Sequence, residues 1–242
     1  PAEVDTVRIN SQYLLEGINK TSFATSTDEL RPAMTGVYFQ LDFNKLICVA
    51  TDAHKLVRYT THQLAGEVSA AFIVPKKALT LLKSALPAND GVSISFNKSH
   101  AFFSFGHIRL ICRLIDARYP DYNAVIPVGN PNHLLVNRAD LQNSLKRIAI
   151  YANKTTNQVA LDIQEGSLTI SAQDLDFSNE AIEQMSCNLT GTPLRIAFNA
   201  RFLAEMLGYL DSEEVRLELA TPSKAGILAP VEEENKNRDV LM

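Results

Sequence analysis

The sequence predicts an α+β protein of two domains, each with its helices on one face of antiparallel sheets. Three observations lead there. A run of two strand-like residues, a helix-starting residue and a leucine four positions on recurs in four places; alternating strand-like segments separated by short turns follow; and a proline-rich stretch divides the four units into two pairs.

The repeated segments are "RINSQYLLEGI" from Arg8, "IVPKKALTLLK" from Ile73, "LVNRADLQNSL" from Leu135 and "AFNARFLAEML" from Ala197. Asn10, Asn137 and Asn199 suit the N-cap, where the side-chain oxygen accepts a free backbone N–H. Ile9 with Leu14, Val136 with Leu141 and Phe198 with Leu203 have the spacing of an apolar staple across the first turn. Pro75 cannot cap in this way, but proline suits a first helical turn and marks a start there too. Between helices, "GVYFQLDF" with "KLICVAT", "GVSISF" with "AFFSF" and "IRLICRLI", and "VALDI" with "SLTISA" alternate as strands do. The turns "DFNK", "FNKSH" and "QEGS" join them as antiparallel hairpins. The stretch "YPDYNAVIPVGNPNH", Tyr119 to His133, holds three of the ten prolines and is expected to link the domains, giving a first domain over 1–121, a linker over 122–132 and a second domain over 133–242. The acidic run "VEEENKNRD", 231–239, is expected to form a mobile hairpin connection.

Charge separates the faces. Lys76, Thr80 and Lys83 lie opposite Leu79, Leu82 and Leu86 in the second helix, and Gln142, Asn143, Lys146 and Arg147 oppose Leu141, Leu145 and Ile148 in the third. The whole chain carries a net charge of −4, so the basic helices sit on an otherwise acidic protein. One charged helix face is ordinarily solvated surface, but two related helices agree here. That distribution suits a protein that meets nucleic-acid backbone on one side only, without reading sequence. Hydrophobic residues make up 46% of the chain, enough for a real core, and no apolar run reaches the roughly 20 residues that span a bilayer. The N-terminus lacks the basic start and apolar stretch of a signal peptide, so a cytoplasmic location is expected. Cys48, Cys112 and Cys187 are far apart in strand-like sequence and are expected to be buried free thiols.

The chemistry is sparse. No G-x-x-x-x-G-K, H-E-x-x-H or glycine-rich dinucleotide loop occurs. The best enzymatic fragment is "VATDAHKLV", where Asp52 and His54 would share a face if the strand continued; such a pair could orient a general base or share a metal in a hydrolase or metal-dependent enzyme. A triad needs a nucleophile and a metal site needs further ligands, and the neighbouring sequence supplies neither. Turn-forming structure or a binding surface accounts for the pair more simply. Asp28 and Glu29, in "FATSTDELRPAMTGVYF", are adjacent and point opposite ways in extended chain, which favours a solvated loop over an acid/base site.

The segments "LRPAMTGVYF", "VATDAHKL" and "RLIDARYPDYNAVIP" resemble, in order and spacing, the L-R-P-x-x-x-G-V, A-T-D-G-H-R-L and F-P-D-Y segments of the bacterial sliding clamp family, the beta subunit of DNA polymerase III. The resemblance covers the whole chain and corresponds to the family's second (central) and third (C-terminal) domains. The first domain is missing from it, and "NRDVLM" falls short of the usual hydrophobic tail with its M-P pair. It implies a DNA-clamp fold of repeated helix-plus-antiparallel-strand units, two per domain, with helices inside and sheets outside. Two three-domain subunits would close a ring around duplex DNA, without catalysis, cofactor, metal or membrane, and tether the replicative polymerase.

The resemblance also assigns residues. A hydrophobic pocket between the second and third domains, receiving short linear motifs of polymerases and the clamp loader, would take Arg31, Thr51, Ala53, His54, Lys55, Leu56, Pro120, Val125, Asn199 and Phe202. Lys76, Lys77, Lys146 and Arg147 would face DNA, and Ile150 and Tyr151 would meet the other subunit of a homodimer. Ala53 stands where the family commonly has glycine, Lys55 where it has arginine, and Ala124 at a position often basic.

Overall fold

A computed structural model describes residues 5–231 and 238–241. The first strand and helix, β1 (Asp5–Asn10) and α1 (Ser11–Thr21), are followed by β2 (Gly36–Asp42), β3 (Lys45–Thr51), β4 (Leu56–Thr61), β5 (Leu64–Ala65), β6 (Ala70–Pro75), α2 (Lys76–Ala85), β7 (Gly91–Phe96), β8 (His100–Phe105) and β9 (Ile108–Arg113). The same sequence of events begins again with β10 (Asn132–Asn137) and α3 (Arg138–Ile148). There follow β11 (Gln158–Gln164), β12 (Ser167–Asp174), β13 (Asn179–Ser186), β14 (Asn188–Thr190), β15 (Leu194–Asn199), α4 (Ala200–Leu207), β16 (Glu214–Leu219), β17 (Ile227–Pro230) and β18 (Arg238–Leu241).

Each helix starts where the repeated motif places it. Asn10 accepts from the Gln12 amide, Asn137 from Asp140, and Asn199 from both Arg201 and Phe202, whereas Pro75 begins α2 without a side-chain cap. The stapling leucines Leu14, Leu141 and Leu203 are buried, so local capping and core burial select the same helix starts. The hairpin turn between β2 and β3 puts Phe43 and Asn44 at positive φ, as a two-residue turn between twisted strands requires.

The chain forms two compact units, which divide at Pro120–Asp121. In the first, antiparallel sheets are ordered β5-β1-β7-β8-β9 and β18-β4-β3-β2-β6; in the second they are β14-β10-β16-β17 and β13-β12-β11-β15. Within the first unit Val7, Ile9, Ile94 and Phe103 of one sheet and Phe39, Leu46 and Tyr59 of the other are buried with Leu14, Ile18, Leu79 and Leu82 of the helices. Gly17 lets α1 lie close on β3 and β4: a Cβ there would meet the Tyr59 ring at 3.0 Å and Cys48 Sγ at 3.2 Å. In the second unit Leu134, Leu161, Ile170 and Leu217 are buried with Leu141, Leu145 and Leu207.

The final strand, β18, pairs antiparallel with β4 of the first unit, Val240 in register with Tyr59 and Leu241 with Arg58. The open hydrogen-bonding edge of β4 accounts for this, since a short alternating segment satisfies it wherever it lies in sequence. Most of the expected 231–239 connection lies outside the described residues. Of the three thiols, Cys48 and Cys112 are buried, but Cys187 is only half-buried, because it lies beside the edge strand β13.

Candidate functional site

The segment that joins β3 to β4 is a closed turn. β3 ends at Thr51, so Asp52 and His54 do not share a strand face as a continuing strand would have placed them. The Asp52 carboxylate instead ties the turn together: Oδ1 accepts from the amides of His54 and Lys55, each at 2.9 Å, and Oδ2 lies 2.6 Å from Lys55 Nζ. Thr51 Oγ1 donates to the Lys55 carbonyl at 2.8 Å and accepts from the Ala53 amide at 3.1 Å. Ala53, at the apex, has φ +76°, a left-handed conformation that explains why glycine is favoured there.

The electrostatics follow this geometry. Burial pushes the Asp52 carboxyl up, but the hydrogen bond from the Lys55 ammonium, the two amides and the Lys55 charge outweigh it and hold the group below its ordinary value. The Lys55–Asp52 pair is well shielded, with side chains 7% and 17% exposed. A carboxylate so engaged braces a turn and is not aimed at an imidazole as a proton-relay partner. Among the described residues no cluster of three or more His, Cys, Asp or Glu has metal-binding geometry.

Other expected pocket residues of the first unit have defined settings. Leu56 opens β4 half-buried, opposite Thr51. Pro120 is exposed, and the preceding residue anchors it: the Tyr119 ring stacks on Tyr38 with centroids 4.5 Å apart, and its hydroxyl donates to the Val49 carbonyl at 3.3 Å. Arg31 is exposed and pairs with Asp28 at 2.8 Å; the Arg31 hydrogen bond, with the Leu30 amide, draws the Asp28 carboxyl below its usual range. Asp28 is therefore a loop brace, and nothing couples it to Glu29. In the second unit Val125 is 63% exposed just after a short helical turn, Asn199 spends its side-chain oxygen on capping α4, and Phe202 is half-buried in that helix's first turn.

The two basic helices differ from one another. On α2, Lys76, Lys77 and Lys83 are all exposed while Ala78, Leu79 and Leu82 face the core. On α3, Lys146 and Arg147 are exposed, but Arg147 is held by Glu183 of β13 through two hydrogen bonds of 2.8 and 2.7 Å. Arg138 is also engaged: its guanidinium donates to the carbonyls of Ser212 and, at 3.4 Å, Leu207, which places a cation at the C-terminal end of α4. Of the cations on α3, Arg147 is thus neutralised by Glu183 and Arg138 is held against carbonyls, while Lys146 is exposed.

Ile150 and Tyr151 lie in a helical turn after α3, 65% and 43% exposed, beside the edge strand β13. Ile182 on that strand is 61% exposed and was missed from sequence, although it is the one large apolar residue at an outward position of "NEAIEQMS". Leu175 and Phe177, in the β12–β13 turn, are also exposed.

Comparisons with known proteins bear on this arrangement. The family model described as DNA polymerase III beta subunit, central domain, matches residues 8–121, and that for the C-terminal domain matches residues 123–242. The beta sliding clamp of Treponema pallidum is 32% identical over 221 residues, which is 88% of this chain and 59% of that protein. Among solved structures, a sliding clamp (DNA polymerase III subunit beta) from Pseudomonas aeruginosa bound to griselimycin matches with a TM-score of 0.92 at 26% identity, over 98% of this chain and 64% of that one. A counterpart from Bartonella birtlesii, also bound to griselimycin, matches with a TM-score of 0.88 at 30% identity, over 100% of this chain and 66% of that one. The chain spans less than two thirds of the length of these relatives.

Proposed function

Because the chain belongs to the DNA polymerase III beta subunit family, matching its central and C-terminal domains in order, we propose that it acts in a DNA sliding clamp, a non-catalytic ring that encircles duplex DNA and tethers the replicative polymerase. The observation that carries this reading is the pair of domain matches, which together leave almost none of the chain unaccounted for.

The side chains support a division of labour. Lys76, Lys77 and Lys146 offer exposed positive charge on helices and make sequence-indifferent contacts with duplex phosphates, as a sliding tether requires. Arg147 contributes less because Glu183 already neutralises it. Ile150 and Tyr151, with Ile182, form an apolar patch at an open strand edge for the second subunit of a homodimer. The braced turn Thr51–Leu56, with Arg31 and Pro120, supplies a rigid wall, with Leu56 as its large apolar side chain, for short linear motifs of polymerases and the clamp loader. His54 acts as wall, not as base. The hydrolase reading loses its support because Asp52 is committed to the turn.

The test is topological. The protein, loaded by a clamp loader with ATP onto nicked circular DNA, should co-elute with the circle and be lost when the circle is cut. Retention on linear DNA, or failure to load on the circle, would refute an encircling tether.

A further inference from the structure

We infer that the solvent face of the sheet β5-β1-β7-β8-β9 binds single-stranded nucleic acid, an activity separate from any encirclement of duplex. Strand register defines this face. Val7, Ile9, Ile94 and Phe103 turn to the core, so the alternate residues turn outward. Arg8 pairs in register with Ser93, Ser93 with Ser104, and Ser104 with Arg109, which makes one row across four strands with an arginine at either end. The next row runs through Ser95, Phe102 and Ile111, and the one beyond it sets His100 against Arg113. At ordinary strand spacing the rows are about 14 Å across, enough for a few nucleotides.

The chemistry of the face is selective. No acidic residue projects from it among the described residues, and none of Arg8, Arg109 and Arg113 has a carboxylate partner there, although the chain as a whole carries −4. The Arg109 guanidinium lies 4.9 Å from the centroid of the Phe102 ring, and the His100 ring lies 6.4 Å from it on the other side of the row. Ile111, 56% exposed, flanks Phe102 on the edge strand β9. Thr6 and Ser95, 3.0 Å apart, add hydroxyls. Duplex offers its phosphates but keeps its base faces stacked, whereas a single strand offers both at once. A half-exposed aromatic ring set among hydroxyls and arginines that have no carboxylate partner matches that combination. A purely acidic peptide would use the arginines and leave the ring without a role.

The probe is a fluorescently labelled 20-nucleotide oligo-dT, titrated with the full chain at low salt and followed by anisotropy. Wild type should bind with a negative salt slope. Phe102→Leu, which keeps the apolar volume but removes the ring, should weaken binding roughly tenfold with the slope unchanged. Arg113→Gln, at an exposed position where folding is not at stake, should reduce the slope by about 0.7. Arg8→Glu combined with Arg109→Glu should abolish binding while the unfolding transition stays cooperative. Lys76→Ala with Lys77→Ala should weaken oligo-dT binding far less than Arg8→Glu with Arg109→Glu does, so failure of the clamp reading and failure of this one remain distinguishable. The inference is overturned if wild type does not bind oligo-dT, if duplex of equal length or polyglutamate competes equally well, if Phe102→Leu binds as wild type, or if loss follows the two lysines instead.

Discussion

Arg147 and Glu183 are joined by two parallel hydrogen bonds, Nε to Oε1 at 2.8 Å and Nη2 to Oε2 at 2.7 Å, linking α3 to the edge strand β13 across 36 residues of sequence. The pair fixes an arginine that helical periodicity alone leaves available for DNA. The carboxyl of Glu183 is drawn below its usual range by this hydrogen bond, and the guanidinium is held more firmly protonated.

A graded response to substitution follows. Lys76→Ala with Lys77→Ala should lower the salt slope of duplex binding by about 2, since each lost phosphate contact removes about 0.9. Arg147→Ala should change it little. Glu183→Gln should strengthen duplex binding by releasing Arg147. Filter binding across a salt series reads all three, and an Arg147→Ala effect as large as that of the lysine pair would contradict the assignment.

Ala53 carries a side chain in left-handed backbone at φ +76°. Ala53→Gly should therefore stabilise the protein by about 1 kcal/mol, seen as a raised midpoint in thermal unfolding. A lowered midpoint would mean that the methyl group packs usefully.

The Asp52 turn predicts a pH effect. Its carboxyl is held below the ordinary value of 3.8, so the folded state binds that proton less readily than the unfolded state. The stabilisation is thus fully present above 3.8 and is lost as pH falls below it through the folded-state value. Asp52→Asn should flatten the acid limb of the stability profile and leave a less stable protein at neutral pH. An acid limb unchanged by the substitution would place the titrating group elsewhere.

Local chemistry made much of this legible from sequence. Asn10, Asn137 and Asn199 cap within three residues of themselves, and alternation marks the strands without reference to partners. The resemblance picked out the Thr51–Leu56 turn, and β3 ends at Thr51 where "KLICVAT" ends, but the hydrogen bonds that brace the turn are not legible from residue types. What was not legible lies at long range. Periodicity puts Arg147 on the outer side of α3 but cannot say that Glu183 waits there, and nothing local in 238–241 says that β4 is its partner. Ile182 escaped because one apolar residue at an outward position acquires meaning only when its strand is known to be an edge.

The most direct measurement is titration of a labelled peptide from a polymerase tail, bearing a glutamine and a terminal pair of large apolar residues, against wild type, His54→Ala and Leu56→Asp. Leu56 lies half-buried at the start of β4, where an unpaired charge would sit against the peptide's apolar anchor. Leu56→Asp should cost about 2 kcal/mol or more of binding, and His54→Ala should cost distinctly less because the imidazole is only a wall. If a folded Leu56→Asp protein binds the peptide as tightly as wild type, the pocket does not lie at this turn.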